Sequence, residues 1–444
     1  MKTTLCTLGA CALASAGSNE GRLAVPQTAF VRGAGGGGAA LLRHRSSSSS
    51  SLCSTRLQHR CRSTRSAATV RRSTVVATLD LKPAFSVYAT LPVGSRAQSE
   101  EGVELDASKP APFPSIDAFE MVKEDLAPFT DSIKELVDTQ HPVLSMAAKH
   151  FFERRHGKRF RPTIVCLMSR AVSEQPYETL RTSQQYKRQG QLGTITEMIH
   201  VASLIHDDVL DEAETRRGGL AVHKLYSNKV AVLAGDYLLA RASVLLARLN
   251  NVQVVEIMAT ALDSLVQGEI MQLQSAPEDL LDMSHYLKKS YYKTASLICS
   301  ACKSAALLGG HDFDSDLAVA AEEYGYHMGL AFQIVDDILD VTAGAEVLGK
   351  PAMADMSLGL ATAPLLYAAE EVKELRPLIK RRFKEPGDKE AAFAYVLKTD
   401  AIARSRALAL WHAQRAVDAA ARLPPSPARQ ALINVCHTVL TRNK

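Results

Sequence analysis

Several absences bound this sequence before any motif is read. Aromatic residues make up only 6% of its 444 positions, with a single Trp at 411. No stretch reaches the roughly 18 uninterrupted apolar residues that a membrane-spanning helix needs. The apolar run Cys6–Ala16 is too short and has no strong basic flank. No alternating apolar and polar pattern marks a half-buried strand, and no period of about 20–50 residues marks a repeat array. Ala and Leu dominate instead, and β-branched runs are short, so the composition leans towards helix.

A disulfide framework is also missing. Four of the eight cysteines (Cys6, Cys11, Cys53, Cys61) sit near the N-terminus; the others are Cys166, Cys299, Cys302 and Cys436. Cys299-Ser-Ala-Cys302 is a lone C-x-x-C. With no second pair, plain helix packing is a better reading than a zinc site, and free thiols indicate a reducing compartment.

Negative charge is scarce in one place only. Residues 1–79 hold eleven Lys or Arg against the single acid Glu20, a net +10, which leaves −5 on the rest of a chain whose total is +5. The basic segment carries Gly35–Gly38 and Ser46–Ser51 runs. Arg-rich, Ser-rich and acid-poor is the composition of an organelle transit peptide; the plainer alternative is a disordered basic tail that binds something acidic. Residues 80–114, where acids return beside Pro and Ser, read as a linker. The mildly acidic remainder, 115–444, argues against nucleic-acid binding and reads as one all-α domain. Ser115–Val122 resembles a capped helix start. Residues 197–210, 230–249, 252–273, 286–308 and 317–341 show apolar residues at three- and four-residue steps. Gly190, Gly309-Gly310 and Pro386-Gly387 read as breaks between helices.

Two aspartate clusters carry the chemistry. His206-Asp207-Asp208-Val-Leu-Asp211 ends one apolar helical run, and Gln333-Ile-Val-Asp336-Asp337-Ile-Leu-Asp340 ends another, with the Asp-Asp-x-x-Asp spacing recurring 129 positions later. Asp207 and Asp211 fall one turn apart on one helix face. Adjacent carboxylates repel, removing them from water costs several kcal/mol per ion, and acids at a helix C-terminus oppose the macrodipole. A single cluster could be a solvated helix end. Two call for cations, and carboxylates without a His or Cys cluster suit a hard ion such as magnesium, which brings water and substrate phosphates with it.

Separate cations accompany the acids. Lys158-Arg159-Phe-Arg161-Pro162 packs three into four residues, and Arg216-Arg217 follows the first cluster. Lys293-Thr294 and Gly349-Lys350 add two more phosphate-type contacts. Carboxylates for metals plus cations for two anionic groups is the inventory for joining two diphosphates.

From about residue 140 onward the sequence resembles the trans-isoprenyl diphosphate synthases, particularly the solanesyl and decaprenyl type. The resemblance rests on Gly157–Pro162, His206–Asp211, Arg216–Gly218, Gly268-Glu-Ile-Met-Gln-Leu273, Lys293-Thr294, Phe332–Asp340 and Gly349-Lys350, in that order. It implies an isoprenoid-synthase-type helical bundle around a central cavity. It also implies condensation of isopentenyl diphosphate onto an allylic diphosphate, farnesyl or geranylgeranyl, to give a long all-trans polyprenyl diphosphate for a ubiquinone or plastoquinone side chain. By the same resemblance, Lys158, Arg161, His200 and Arg217 face isopentenyl diphosphate, and Arg216, Lys293, Thr294, Gln333 and Lys350 face the allylic diphosphate. Asp207, Asp211, Asp336 and Asp340 would hold two to three Mg2+ ions, with Mn2+ as a substitute; Asp208 and Asp337 are the middle members, and the catalytic set implied is Asp207, Asp208, Asp211, Asp336, Asp337 and Lys293.

Small residues before the first cluster, Ala202 and Ser203, leave no bulky floor beneath a growing tail. Many shorter-chain members carry Lys in the place of Leu360, so the motif Asp355–Pro364 departs from them by one phosphate contact. That departure and His200 favour the mitochondrial quinone branch, with plastid as the alternative. The expected assembly is a homodimer, or a heteromer with a related subunit, compatible with peripheral membrane association. A terpene cyclase would replace the second aspartate cluster with an Asn/Ser/Glu motif, and a non-catalytic subunit would lose parts of both.

Overall fold

Apolar residues recurring at helical spacing can be buried only by packing helix on helix. The structure, a computed structural model, describes residues 103–127, 141–153, 159–216, 219–342 and 353–442. It is an all-α body; among the described residues the sole sheet is a two-stranded antiparallel hairpin, Thr215–Arg216 with Gly219–Leu220. Helices of eight residues or more run in the order α1 (Pro142–Glu153), α2 (Phe160–Ala171), α3 (Gln184–Leu210), α4 (Asn228–Arg248), α5 (Val252–Gln274), α6 (Met283–Ser290), α7 (Ser296–Leu308), α8 (Asp316–Thr342), α9 (Ala363–Glu371), α10 (Asp388–Lys398), α11 (Ala401–Ala421) and α12 (Pro427–Thr441).

Helix α7 is the centre. Every residue from Ser296 to Leu308 except Ser300 is buried, so it has no solvent face. It packs against α2, α3, α5 and α8, and thereby stands between the two 27-residue helices, α3 and α8, whose C-terminal turns carry the aspartates. Caps set several helix starts: Ser183, Asn251 and Ser426 each accept a backbone N–H three residues on, and Asp282 accepts from Ser284 and His285. Each such cap is worth about 1 kcal/mol.

One expectation shifts. Helix α3 begins at Gln184, so Gly190 lies inside it rather than at a break. Its α-carbon faces open space, and the cost of about 1 kcal/mol for a mid-helix glycine is outweighed by the buried run Leu192, Ile195, Met198 and Ile199. The capped start expected within Ser115–Val122 is present: Asp117 caps the first helical turn, accepting from Phe119 and Glu120 N–H.

Residues 103–114, read as linker, are tied down. Leu105 N–H donates to Gln414 Oε1 at 2.9 Å, while Asn434 accepts from Phe113 N–H and donates to the Phe113 and Ile116 carbonyls. Residues 1–79 and 80–102 lie outside the described residues. Helix α4 is long and apolar enough to cross a membrane by length and composition alone. Lys229, Asp236 and Arg241 interrupt it, and one face packs on α3 and α1.

Candidate active site

One turn of π-helix, Tyr291–Ala295, joins α6 to α7. Such a turn re-aims the side chains it carries and recurs at functional sites. Two close approaches hold it. A Cβ at Gly268 on α5 would lie 2.7 Å from Lys293 Cγ, and one at Gly329 on α8 would lie 2.5 Å from Ala295 Cα. Glycine at both positions lets α5 and α8 close on the turn from opposite sides. Lys293 then points to α5, where its Nζ donates to Glu269 Oε2 at 2.5 Å and Gln272 Oε1 at 3.0 Å. Thr294 points to α8, where its Oγ1 donates to Gln333 Oε1 at 2.6 Å.

The first cluster closes α3. Burial pushes the Asp207 carboxyl up to about 7; Lys293 opposes the shift, and Glu269 and Asp211 add to it. Burial also moves Asp211 up; Lys293 and Arg216 oppose the shift, and Glu269 and Asp208 add to it. Asp208 is fully buried, and Arg216 of the hairpin donates to its Oδ1 through both Nε (2.8 Å) and Nη2 (2.5 Å). Its Oδ2 has no partner among the described residues. Just before the acids, His206 Nε2 lies 3.1 Å from the Val232 carbonyl on α4.

The second cluster closes α8. Buried Asp337 accepts from Tyr286 Oη at 2.6 Å and from Gln333 Nε2 at 2.7 Å. Thr294, Gln333, Asp337 and Tyr286 thus form one relay from the π turn to α6. Burial and neighbouring Asp355 raise the Asp337 carboxyl well above the usual range, against Tyr286, Gln333 and Lys289. Asp336 is exposed and pairs with Arg442 Nη2 at 2.9 Å, the guanidinium lying 4.0 Å over the Phe332 ring. Asp340 accepts from the Ala354 and Asp355 backbone N–H groups, capping the short helix Ala354–Ser357.

Eight of the site residues expected from the sequence therefore gather around the π turn: Asp207, Asp208, Asp211, Arg216, Lys293, Thr294, Gln333 and Asp337. Arg161 lies in the first turn of α2, and His200 is half-buried two turns before Asp207. Lys158, Arg217 and Lys350 lie outside the described residues. Ala202 is wholly buried, and Ser203, half-buried, donates to the His200 carbonyl. Arg216 and Gln333 are engaged with aspartates rather than open to a ligand.

Sequence reading missed Glu269, Gln272, Tyr286, Lys289, Asp355 and Arg442. The first two lie inside the Gly268–Leu273 motif, and Tyr286, Lys289 and Lys293 form a helical stripe of spacing three and four that could have been noticed. The C-x-x-C pair is packing: Cys299 and Cys302 are buried and free, and burial pushes both thiols up.

The donor set suits a hard divalent ion. Among the described residues no three His, Cys, Asp or Glu side chains converge to hold a metal by themselves. Among the described residues Asp207 and Asp211 accept no side-chain hydrogen bond, and burial holds both above the ordinary carboxylate range. Carboxylates that are half-buried without donors gain most from a cation, and magnesium characteristically completes its shell with water and phosphate oxygens.

Comparison with known proteins agrees with this geometry. The Polyprenyl synthetase family model matches residues 141–396. The mitochondrial solanesyl-diphosphate synthase 1 of Oryza sativa is 44% identical over 342 residues, covering 74% of this chain and 79% of that protein. The decaprenyl-diphosphate synthase of Dictyostelium discoideum is 45% identical over 341 residues, covering 73% and 72%. Among solved structures, the polyprenyl synthase of Caulobacter crescentus complexed with calcium and isoprenyl diphosphate superposes with a TM-score of 0.66 at 30% identity, over 74% of this chain and 97% of that one. Fold, aspartate clusters and sequence thus converge, and the chain belongs to the polyprenyl synthetase family.

Proposed function

We propose that this protein is a trans-prenyltransferase that adds isopentenyl diphosphate units to an allylic diphosphate and releases a long polyprenyl diphosphate for a quinone side chain, in the mitochondrion. The observation that carries this is the π turn, which sets Lys293, bonded to Glu269, close enough to act electrostatically on Asp207 and Asp211, and joins Thr294, through Gln333, to the second aspartate cluster. One anionic group seated between α3 and α8 would meet both. The names of the plant and amoebal relatives support the long-chain product, and the mitochondrial relative supports the compartment, with the plastid as the alternative.

Asp207 and Asp211, with Asp336, would hold the magnesium ions, and Lys293 would face the allylic diphosphate beside them. Bound there, magnesium would supply positive charge to the departing diphosphate, beside that of Lys293. The allylic C–O bond breaks, the isopentenyl double bond attacks the resulting carbocation to form the new C–C bond, and a proton leaves the adjacent carbon. No side chain among the described residues offers an evident base, so the released diphosphate accepts that proton. Arg161 and His200, with Lys158 and Arg217, would hold isopentenyl diphosphate. Exposed apolar residues on α4 and α5 support a homodimer.

The test is the purified full chain with labelled isopentenyl diphosphate, farnesyl diphosphate and Mg2+, the products sized by chromatography. Products well beyond geranylgeranyl length are expected. No elongation by well-folded protein, alone or with a related subunit, would overturn the reading.

A further inference from the structure

Two consecutive residues, Arg382 and Phe383, take left-handed backbone angles, φ 57° and 54°. Residues with a Cβ enter that region at a cost and stay there only where the surroundings fix them. Part of the reason is local. The short helix Leu375–Lys380 ends here, and the Arg382 and Phe383 N–H groups donate back to the Ile379 and Leu378 carbonyls at 2.8 and 3.0 Å. Phe383 turns into the core. Glycine would take the angle at 382 freely, yet the position holds an arginine.

The half-buried Arg382 side chain crosses to the end of α5. Its Nη1 donates to the Gln272 carbonyl at 3.3 Å and its Nη2 to the Ser275 carbonyl at 3.1 Å. The last carbonyls of a helix have no partner within it, and a cation beside them also meets the negative end of the helix dipole. Gln272 is the residue whose side chain, with that of Glu269, receives the Lys293 ammonium. Its carbonyl is thus held by Arg382 while its amide oxygen holds Lys293.

On its other side Arg382 is braced. Gly359, φ 74°, brings the chain so close that a Cβ there would lie 2.9 Å from the Arg382 Cβ. That turn follows the short helix Ala354–Ser357, whose first two N–H groups donate to Asp340. Contacts therefore run from the second aspartate cluster through Gly359 and Arg382 to the end of α5, and from there to Lys293.

We propose that Arg382 is a positioning residue for Lys293: its guanidinium fixes the last turn of α5, so that Glu269 and Gln272 hold the ammonium where the allylic diphosphate binds. This inference rests on the reading of the site as a prenyl-transfer centre.

The experiment compares full-length wild type, Arg382→Lys, Arg382→Met and Arg382→Gly, and repeats Arg382→Met on a Lys293→Met background. One readout is hydrogen exchange in EDTA, which needs no substrate, followed in peptides spanning 268–276 and 291–296. The other is calorimetric binding of farnesyl diphosphate with Mg2+, without isopentenyl diphosphate. Arg382→Met and Arg382→Gly should speed exchange in both peptides and weaken binding by about fivefold or more. Arg382→Lys should lose less than either. Arg382→Gly separates positioning from stability: glycine suits the left-handed angle, so its melting temperature should stay close to that of wild type while its binding falls. On the Lys293→Met background, Arg382→Met should change the affinity by less than about twofold, because the group it positions is gone.

Exchange and affinity like wild type in Arg382→Met and Arg382→Gly overturn the proposal, and so does an equal loss of affinity on the Lys293→Met background. Should Arg382→Met fail to fold, Arg382→Gly takes its place in both arms. A wild type that neither binds nor elongates farnesyl diphosphate would sink the functional reading, while exchange at 291–296 would still decide whether Arg382 fixes the turn that carries Lys293.

Discussion

Asp207 shows what a site costs a fold before it binds anything. Its carboxyl has an ordinary value near 3.8 and is pushed up to about 7, burial first and Glu269 and Asp211 after it. The folded chain therefore keeps a proton, between about pH 4 and 7, that the unfolded chain has released. Stability from this group falls as pH rises through that window and stays low above it. A rise from 3.8 to about 7 corresponds to at most about 4 kcal/mol. In EDTA, Asp207→Asn should therefore melt several degrees above wild type at pH 8, and the gap should close as pH falls towards 4. Calorimetric scans across that range check the sign; a wild type more stable than the variant at pH 8 contradicts it. Mg2+ at pH 8 should raise the melting temperature of wild type by more than that of the variant, because the variant keeps only Asp211 of the raised pair. The pairing of Asp207 with Asp211 was legible because helical spacing alone places residues four apart on one face. The pairing of Asp336 with Arg442 was not, since it spans 106 positions and depends on how α12 ends against α8.

At the scale of elements, five runs of apolar periodicity in the sequence correspond to α3, α4, α5, the α6–α7 pair and α8, while α11, as long as α4, was not among them. It did not announce the π turn between α6 and α7, because one extra residue in a turn hardly disturbs the pattern of apolar positions. That turn nevertheless aims Lys293 and Thr294 in different directions. The glycine that admits it is a direct test. Gly268→Ala would set a methyl group 2.7 Å from Lys293 Cγ and 3.0 Å from Tyr292 Cβ, so the turn must shift by a few tenths of an ångström. Small displacements of a charged group at a reacting centre can cost up to about a hundredfold in rate. Steady-state kinetics should show kcat down by about tenfold or more with far-ultraviolet circular dichroism unchanged; wild-type kinetics would mean the turn is not a precise device. Helix α3 offers a second test. Ser203 lies near the Asp207 face and is half-buried, whereas Ala202 is wholly enclosed. If the growing tail runs along α3, Ala202→Phe and Ser203→Phe should both shorten the product to roughly farnesyl or geranylgeranyl length, Ser203→Phe with the smaller loss of melting temperature, since overpacking an enclosed site costs about 1–3 kcal/mol. Chromatography showing an unchanged product distribution in both would move the tail elsewhere.

For the whole molecule, the balance between core and surface points to a second copy. The centre is densely filled around α7, yet α4 and α5 present a row of large apolar side chains outward: Val232, Leu233, Val244, Val266, Ile270 and Leu273. Leu233 is 60% exposed and Val266 64%. Apolar surface gathered on two neighbouring helices is unusual for a monomer and fits an isologous contact in which each patch covers its twin. The sequence showed these residues as periodic and apolar but could not show which face of each helix the core would take, because α4 is apolar nearly all round. The same surface reaches the site. Val232, adjacent to Leu233, holds His206 through its carbonyl, and His206 precedes Asp207. A partner pressed on α4 would therefore steady the end of α3 that bears the first aspartates. The double variant Leu233→Glu/Val266→Glu places four like charges across a two-fold contact and should sediment as a single 48.1 kDa chain, where wild type sediments as a pair. Its kcat should fall with dissociation and recover in part at high protein concentration, where mass action restores the pair. A wild type that sediments as a monomer at micromolar concentration, or a variant that remains paired, would place the contact on another face and leave α3 to hold its aspartates unaided.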